Sequence, residues 1–285
     1  MRIKKYLKND YIFTDGFWVR DFTKPHVKEL SINTLYPSKE YSSILNNELE
    51  NAKQEVYYLH NEHFNLKNVV IVSDGYDFAK LQETLCNLPS DTHILAVNGA
   101  LRKWKINKDV PYNKRRSISL YVANNPFKDC EAYLPKETNY YPPCALSTKT
   151  NPRFAKGYKG NKFFYIPTDE REFCSIFTKE VAWHIDDYRN PICAAIGIAY
   201  RFNVKKLLLF CCDNSFEQER PAAIQLPNKL WHYPQHTVSH NVIDANLYWL
   251  TNQEDNEVKV GNCSNGLEYK NASQVEDIAN FFKSS

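Results

Sequence analysis

The sequence predicts an α/β fold: Rossmann-like, with a mostly parallel sheet, helices on both faces, an irregular N-terminal appendage and a lid-like insertion. Short, wholly apolar runs are typical of strands covered on both faces, and here they alternate with segments of helical periodicity. Several runs also end abruptly in small polar residues. These runs are residues 69–72, 94–97, 118–122 and 207–212. The carboxyl ends of parallel strands together form a rim, and ligands bind in the crevice outside it, so the polar run ends predict a ligand site.

The amino-acid composition fits a folded protein with a sizeable core. The chain has 285 residues, of which 43% are hydrophobic and 24% charged, which excludes general disorder. Its longest apolar runs are far shorter than the roughly 20 residues that span a bilayer. The first residues carry positive charge but lack the apolar core of a signal peptide. We therefore expect a cytoplasmic protein with no membrane span.

The net charge indicates which classes of partner to expect, and the cysteine positions indicate the redox state of the thiols. A net charge of +3 is too small to indicate a nucleic-acid partner. Basic runs at 102–105, 114–116 and 156–162 lie close to aromatic residues, where they can steer a phosphate-bearing ligand or simply be solvated faces. The eight cysteines contain no Cys-x-x-Cys pair, and several lie inside apolar runs, so we expect reduced thiols and no thiolate zinc site.

The predicted elements follow α/β order within one domain. Residues 1–66 form the appendage, with a helix near 42–60, and residues 67–285 form a Rossmann-like nucleotide-binding domain. The domain opens with a β-α unit, in which a proline ends an amphipathic helix. In chain order, the predicted strands are 69–72, 93–97, 117–122, 162–166, 205–212 and 257–260, and the predicted helices are 78–88, 100–104, 191–202, 244–250 and 275–282.

Residues 126–175 form the predicted insertion. They contain many prolines and aromatic residues, with Pro142-Pro143 and residues 157–160 as strong breakers of regular structure. Only residues 162–166 have the pattern of a strand. A long excursion of this kind over the rim is typical of a lid or a binding loop.

Polar residues at the strand ends are the candidates for nucleotide binding. The turn at 73–75 follows a strand and opens a helix, so its backbone N–H groups can hold an anion, although Asp74 can also be an ordinary helix cap. The amides of Asn98 and Asn125 can bond a base or a sugar, or stabilise a turn. The candidate nucleotide-binding residues are Ser73, Asp74, Gly75, Asn98, Gly99, Asn124, Asn125 and Asp213.

A run rich in histidine supplies the candidate catalytic residue. His232, His236 and His240 recur at intervals of four, which on one unbroken helix would make a metal site. Pro234 interrupts such a helix, so we assign no metal site. We interpret His236 as a general base, because an imidazole titrates near neutral pH. A purely structural histidine is the alternative.

The order of these motifs resembles that of the bacterial sialyltransferases of the Campylobacter type. It also resembles a broader superfamily that includes motility accessory factors and the archaeal 6-hydroxymethylpterin pyrophosphokinase. The resemblance covers roughly residues 68–265. Its motifs are a strand before Asp74-Gly75, a strand before Asn98, a strand before Asn125-Pro126, a small-residue helix, a strand before Asp213, and His232-Tyr233-x-x-His236 before Asp244 and a helix.

The sialyltransferase resemblance implies an inverting transfer of a sugar, without a metal cofactor, from a cytidine-monophosphate-activated donor to an acceptor hydroxyl. It implies that Asn98 and Asn125 bind the nucleotide and that the turn at 73–75 contacts phosphate or sugar. His236 would deprotonate the acceptor. The implied partners are a nucleotide-activated small molecule and an acceptor that the sequence does not name, and an oligomer is compatible with this reading.

Two departures from the family pattern leave other functions open. Asp74 adds a carboxylate that would repel a nucleotide phosphate. The loop at 215–230 lacks the tyrosines that stabilise the departing phosphate in the family, so Arg220 or Tyr233 would have to make that contact. Asp74 and Asp213 with Mg²⁺ would instead suit a pyrophosphokinase or nucleotidyl transferase of the pterin type. A non-catalytic binding or assembly protein that retains the fold is the third possibility.

Overall fold

A computed structural model describes the chain in a series of ranges. They are residues 11–14, 17–20, 38–54, 57–59, 66–75, 78, 84–104, 116–126, 128–135, 141–167, 183–185, 187, 190–212, 215–216, 237–238, 258–264 and 272–283. Within these ranges, none of the helices combines the length and the apolar character needed to cross a membrane.

The described chain contains strands and short helices in alternation. The strands are β1 (Tyr11–Thr14), β2 (Phe17–Arg20), β3 (Tyr57–Tyr58), β4 (Asn68–Val72), β5 (Thr92–Val97), β6 (Leu120–Ala123), β7 (Cys144–Ser147), β8 (Lys162–Pro167), β9 (His184–Ile185), β10 (Lys206–Phe210), β11 (Ser215–Phe216), β12 (Thr237–Val238), β13 (Lys259–Asn262) and β14 (Ser273–Gln274). The α-helices are α1 (Ser38–Ala52), α2 (Ala100–Lys103), α3 (Pro152–Gly157), α4 (Pro191–Arg201) and α5 (Ile278–Lys283), and a 3₁₀ helix spans Lys128–Tyr133.

Ten of these strands form one sheet in which all the pairs are parallel. The order across it is β14-β13-β10-β4-β5-β6-β7-β8-β3, and β9 also pairs with β8. The hairpin β1–β2 and the pair β11–β12 are antiparallel and lie outside this sheet. The predicted Rossmann-like fold with a mostly parallel sheet is confirmed.

Both faces of the sheet are buried, as wholly apolar strands require. In β4, Val69 and Ile71 belong to one core cluster and Val70 and Val72 to the other, because successive side chains of a strand point to opposite faces. Helix α4 packs over β4, β5 and β6 on the first face. Helices α2, α3 and α5 contribute buried side chains to the cluster on the second face. The sheet is therefore the middle of three layers.

The order of the strands reverses at β4. From β4 the chain proceeds through β5, β6, β7 and β8 toward one edge, and it then returns through α4 to place β10 on the other side of β4. In doubly wound sheets, ligands bind in the crevice outside the carboxyl ends of the strands at such a reversal. The carboxyl ends of β4 and β10, with β5 beside them, mark that crevice here.

The apolar runs give strands close to their predicted places. Each of the six predicted strands overlaps an observed one, namely β4, β5, β6, β8, β10 and β13, and the predicted helices at 100–104, 191–202 and 275–282 overlap α2, α4 and α5. The predicted helix at 78–88 is described only in part, and residues 84 and 85 there are helical. The predicted helix at 244–250 lies outside the described residues.

The segment 126–175 contains more regular structure than its prolines indicated. Beside the predicted strand it contributes β7 and α3, so the expectation of a single strand there is wrong. Strand β7 pairs with β6 and β8. It was missed because its four residues lie between a double proline and the polar loop that precedes α3, which leaves an apolar run too short to recognise.

The N-terminal region also differs from its prediction. The helix expected at 42–60 is too long, because α1 ends at Ala52 and Tyr57–Tyr58 forms β3 instead. Tyrosine has a high strand propensity, and β3 pairs with β8 at the edge of the main sheet. The boundary at residue 66 between appendage and domain stays a prediction, although β3 places part of the appendage in the sheet.

Candidate functional site

The carboxyl ends of β4 and β5 bring several predicted site residues together. Ser73 and Asp74 follow β4, and Asn98 follows β5. The side-chain amide of Asn98 donates from Nδ2 to Oγ of Ser73 at 3.2 Å, and that hydroxyl donates to Oδ1 of Asp74 at 3.3 Å. Amide, hydroxyl and carboxylate thus form one hydrogen-bonded chain across the two strand ends.

The carboxyl group of Asp74 is held inside the protein. Asp74 is only 8% exposed. Burial raises the pKa of this carboxyl above its usual value, whereas Lys103 nearby lowers it, as do hydrogen bonds from the N–H groups of Asp74 and Gly99 and from the Ser73 hydroxyl. The N–H of Gly99 directly precedes α2. The carboxylate therefore ties the end of β4 to the start of the helix after β5.

Gly99 is required by this arrangement. A Cβ atom at this position would lie 2.4 Å from Oδ2 of Asp74, well inside van der Waals contact. The backbone after β5 can approach the carboxylate only because no side chain is present there. Gly99, a candidate binding residue, thus has a clear packing role at the strand end.

The backbone N–H groups of the turn at 73–75 bond within the protein. The N–H of Ser73 donates to the carbonyl oxygen of Phe210 and that of Gly75 donates to the carbonyl oxygen of Cys211, both at 3.1 Å. The N–H of Asp74 bonds its own carboxylate. These bonds join the ends of β4 and β10. An external anion at this turn would consequently need other donors than the three N–H groups that the sequence suggested.

Residues with left-handed backbone stand on both sides of β4. Asn98, after β5, has a φ of 51°, and Cys211, after β10, has a φ of 54°. Asparagine tolerates this region, but a cysteine there is uncommon. The Tyr121 hydroxyl donates to the Asn98 carbonyl at 2.9 Å and so helps to hold that turn. Backbone strain concentrates at functional sites, which agrees with a site at the reversal of the sheet.

Asn124 belongs to a different, fully buried network. Its Nδ2 donates to Oδ2 of Asp187 at 3.2 Å, and the Tyr165 hydroxyl donates to the same oxygen at 3.1 Å. Asn124 is 5% exposed, and its Oδ1 has no hydrogen-bond partner among the described residues. The next residue, Asn125, is half-buried, and its backbone carbonyl accepts from the N–H of Asn151. These hydrogen bonds of the two asparagines after β6 lead to Asp187 and to Asn151.

Helix α1 covers the carboxyl ends of β6 and β7. Asn51 is fully buried, and its Nδ2 donates to the carbonyl oxygens of Thr148 and Thr150, at 2.9 and 2.7 Å. One turn earlier, Nδ2 of Asn47 donates to the carbonyl oxygen of Pro126 at 2.8 Å. The buried carboxylate of Glu48 accepts from the Thr148 hydroxyl. Within the described residues, α1 therefore covers the part of the rim beside Pro126 and residues 148–150.

Lys103 is a site residue that the sequence reasoning did not single out. It is the last residue of α2, and its Nζ donates to the backbone carbonyl oxygen of Asp74 at 2.6 Å. Its position in the basic run at 102–105 suggested only a patch. The stronger signal was its place one helical turn after Gly99, since that spacing returns a side chain to the strand end where the helix starts.

The remaining predicted site residues lie outside the described residues. They are Asp213, Arg220, Tyr233 and His236. In the part of the chain that is described, no group of three or more His, Cys, Asp or Glu side chains is placed to hold a metal ion.

The fold is similar to that of a known glycosyltransferase. The structure titled "Structure of MAf glycosyltransferase from Magnetospirillum magneticum AMB-1" superimposes with a TM-score of 0.60 over 85% of this chain, at 11% sequence identity. The chain spans 40% of the length of that protein. No protein-family model matches the chain, and no curated protein sequence matches it. The likeness therefore establishes a shared fold.

Proposed function

We propose that the protein transfers a sugar from a nucleotide-activated donor to an acceptor hydroxyl, with the nucleotide bound at the carboxyl ends of β10, β4 and β5. The observation that carries this proposal is the reversal of the sheet at β4, flanked by the left-handed residues Asn98 and Cys211. The similarity in fold to a glycosyltransferase supports the reaction class. The order of the sequence motifs supports a donor of the cytidine-monophosphate sialic-acid type.

The proposed roles follow from the chemistry of each group. Asn98 after β5 and the half-buried Asn125 after the adjacent β6 bind the nucleotide, since a side-chain amide offers both a donor and an acceptor. His236 removes the proton of the acceptor hydroxyl as that oxygen attacks the anomeric carbon, and the bond to the donor phosphate breaks. Two substrates held side by side in the crevice supply much of the rate. No metal ion is needed for these steps.

Nucleotide binding is the first test of this function. We expect cytidine monophosphate to raise the thermal unfolding midpoint of the protein, because a ligand that binds the folded state stabilises it. Uridine, guanosine and adenosine nucleotides serve as comparisons, each with and without Mg²⁺. A shift that requires Mg²⁺ and a triphosphate would replace the proposal with the pterin-type transferase, and the absence of any shift would favour a non-catalytic protein.

Substitutions then separate catalysis from binding. We expect His236→Ala to lower the rate of transfer from cytidine-monophosphate-activated sialic acid by about 10²–10⁴-fold while nucleotide binding is retained, because general-base catalysis contributes that much. Asn125→Ala should weaken nucleotide binding instead. The readouts are chromatographic detection of released nucleotide and a titration of nucleotide binding.

Matched controls lie at the opposite, amino-terminal ends of the same strands. His93 and Asn68 belong to the amino-terminal ends of β5 and β4, so His93→Ala and Asn68→Ala should leave both readouts close to those of the unsubstituted protein. Equal turnover of His236→Ala and the unsubstituted protein would exclude His236 as the base. Equal nucleotide affinity of Asn125→Ala and Asn68→Ala would exclude Asn125 from the binding site.

A further inference from the structure

A half-buried lysine lies at the rim beside the reversal of the sheet. Lys103 projects from the end of α2 toward the end of β4, where its Nζ donates to the carbonyl oxygen of Asp74 at 2.6 Å. The same nitrogen lies 5.5 Å from the centroid of the Phe78 ring. These two contacts position the ammonium group at the strand end.

Among the described residues, the ammonium group of Lys103 makes one hydrogen bond. A lysine ammonium has three N–H groups, and one of them bonds the carbonyl oxygen of Asp74. The structure gives Lys103 no ion pair within the described part of the chain. The Asp74 carboxylate takes its hydrogen bonds from other donors, namely the Ser73 hydroxyl and the N–H groups of Asp74 and Gly99. A positive charge that makes one hydrogen bond to the described residues therefore stands at the crevice.

The backbone N–H groups of the turn at 73–75 do not provide the donors that an anion needs. In many α/β proteins the N–H groups after the first strand bind phosphate. Here the N–H groups of Ser73 and Gly75 bond the end of β10, and that of Asp74 bonds its own carboxylate. An anion at the carboxyl end of β4 would consequently be bound by a side chain. Among the described residues around the ends of β4 and β5, Lys103 is the cation in direct contact with the turn.

We infer that Lys103 binds the phosphate group of the nucleotide ligand. This inference rests on the proposed nucleotide site and names the group that would neutralise the phosphate charge there. An ammonium acts as a compact point charge with mobile donors, so it can keep its bond to Asp74 while donating to a phosphate oxygen. From the sequence alone, the Asp74 carboxylate is expected to repel a nucleotide phosphate. The positive charge of Lys103 offsets that repulsion.

The neighbouring cation offers a matched control. Arg102 precedes Lys103 in the same helix, is exposed, and donates from Nη1 to the carbonyl oxygen of Ala132 at 3.3 Å, away from the turn. Lys103→Gln keeps a side-chain donor for Asp74 but removes the charge, so it separates electrostatics from structure. Lys103→Arg keeps the charge and should restore binding. Arg102→Gln removes the same charge from a neighbouring position.

The test is a calorimetric titration of each full-length variant with cytidine monophosphate and with inorganic pyrophosphate. We expect Lys103→Gln to weaken binding of both probes by about tenfold or more, as for loss of a charge-assisted hydrogen bond, while Arg102→Gln changes it less than about threefold. The Lys103 effect should shrink as salt is added, because salt screens the attraction between the half-buried ammonium group and the phosphate. Unchanged thermal unfolding of Lys103→Gln shows that the loss is not misfolding.

The outcomes distinguish this inference from the proposed function. Equal affinities of Lys103→Gln and Arg102→Gln overturn the role of Lys103, whereas sugar transfer by the unsubstituted protein would still uphold the function. Lys103-dependent binding without sugar transfer supports the phosphate contact and overturns the function. Failure of the unsubstituted protein to bind either probe overturns the inference.

Discussion

At the residue scale, the buried carboxylate of Asp74 determines which residues and which ligand groups can lie at the carboxyl ends of β4 and β5. Asp74 accepts hydrogen bonds from its own N–H, from Gly99 and from Ser73, and it stands where an external anion would otherwise meet the backbone. A single Asp at this turn therefore changes both the packing and the ligand chemistry of the site. It requires a glycine opposite it and a cation beside it.

Substitution of that glycine tests the packing directly. We expect Gly99→Ala to lower the free energy of unfolding by about 1–3 kcal/mol, because the added methyl group meets the Asp74 carboxylate and forces a shift of the strand end. Denaturant unfolding followed by circular dichroism measures this difference.

A second glycine supplies the control for this prediction. At Gly157, an added Cβ would meet only the end of the Leu134 side chain, at 2.9 Å, and that side chain can rotate away. Gly157→Ala should therefore cost less than Gly99→Ala. In an Asp74→Ala background, the penalty of Gly99→Ala should largely disappear, since the clashing oxygen is gone. Equal penalties in both backgrounds would contradict the proposed contact.

At the element scale, the sequence predicted the strands that are wholly apolar and buried on both faces. Strands β4, β5 and β10 are bounded by polar residues and have no competing helical period, so their ends were predicted to within a few residues. These same ends hold Ser73, Asp74 and Asn98, which is why their closeness could be expected from the sequence. The contact of Asp74 with Gly99 could not, because it depends on the path of the backbone between neighbouring strands.

Helix α1 shows what the pattern of apolar residues cannot predict. Its contacts with the loop before α3 come from Asn47, Glu48 and Asn51, whereas Leu49 on the same helix is 47% exposed. An apolar stripe is the usual sign of a docked helix. Here amide and carboxylate groups bond buried backbone and hydroxyl groups. In the sequence, such polar residues look the same as those of a solvent-exposed helix.

Removal of one of these amides should detach or destabilise the helix. We expect Asn51→Ala to lower the free energy of unfolding by about 2–4 kcal/mol, since it leaves the buried carbonyl groups of Thr148 and Thr150 without a donor. The exposed Asn46 on the same helix is the control, and Asn46→Ala should change stability by less than about 0.5 kcal/mol. Comparable effects of the two substitutions would show that the docking bonds contribute little.

At the scale of the whole molecule, the two faces of the sheet share one set of strands. Cys144 and Cys212 lie in the core clusters of opposite faces, and Cys193 is a buried residue of α4, which packs on the same face as Cys212. All three are completely buried, and burial raises the pKa values of Cys144 and Cys193 well above the usual range. Their thiols thus report separately on the opening of each face.

Thiol labelling tests whether the faces unfold together. We expect Cys144, Cys193 and Cys212 to react with iodoacetamide at one common rate that equals the rate of global unfolding, because each face depends on the same strands. Cys86, which is half-buried, should react faster and serves as the reference. Mass spectrometry after timed pulses gives the four rates. Faster labelling of Cys193 than of Cys144 would indicate that the face under α4 opens independently.

The bonds from α1 also impose an order on the formation of the molecule. Asn51 bonds Thr148, which lies 97 residues later in the chain, and Asn47 bonds the carbonyl of Lys149, which lies 102 residues later. At roughly 5–20 residues per second of synthesis, α1 waits on the order of 5–20 s for these partners. Of the α1 side chains described as buried, Ile44 is apolar and the other three are amides or a carboxylate, so the waiting helix exposes little apolar surface on which nascent chains could aggregate.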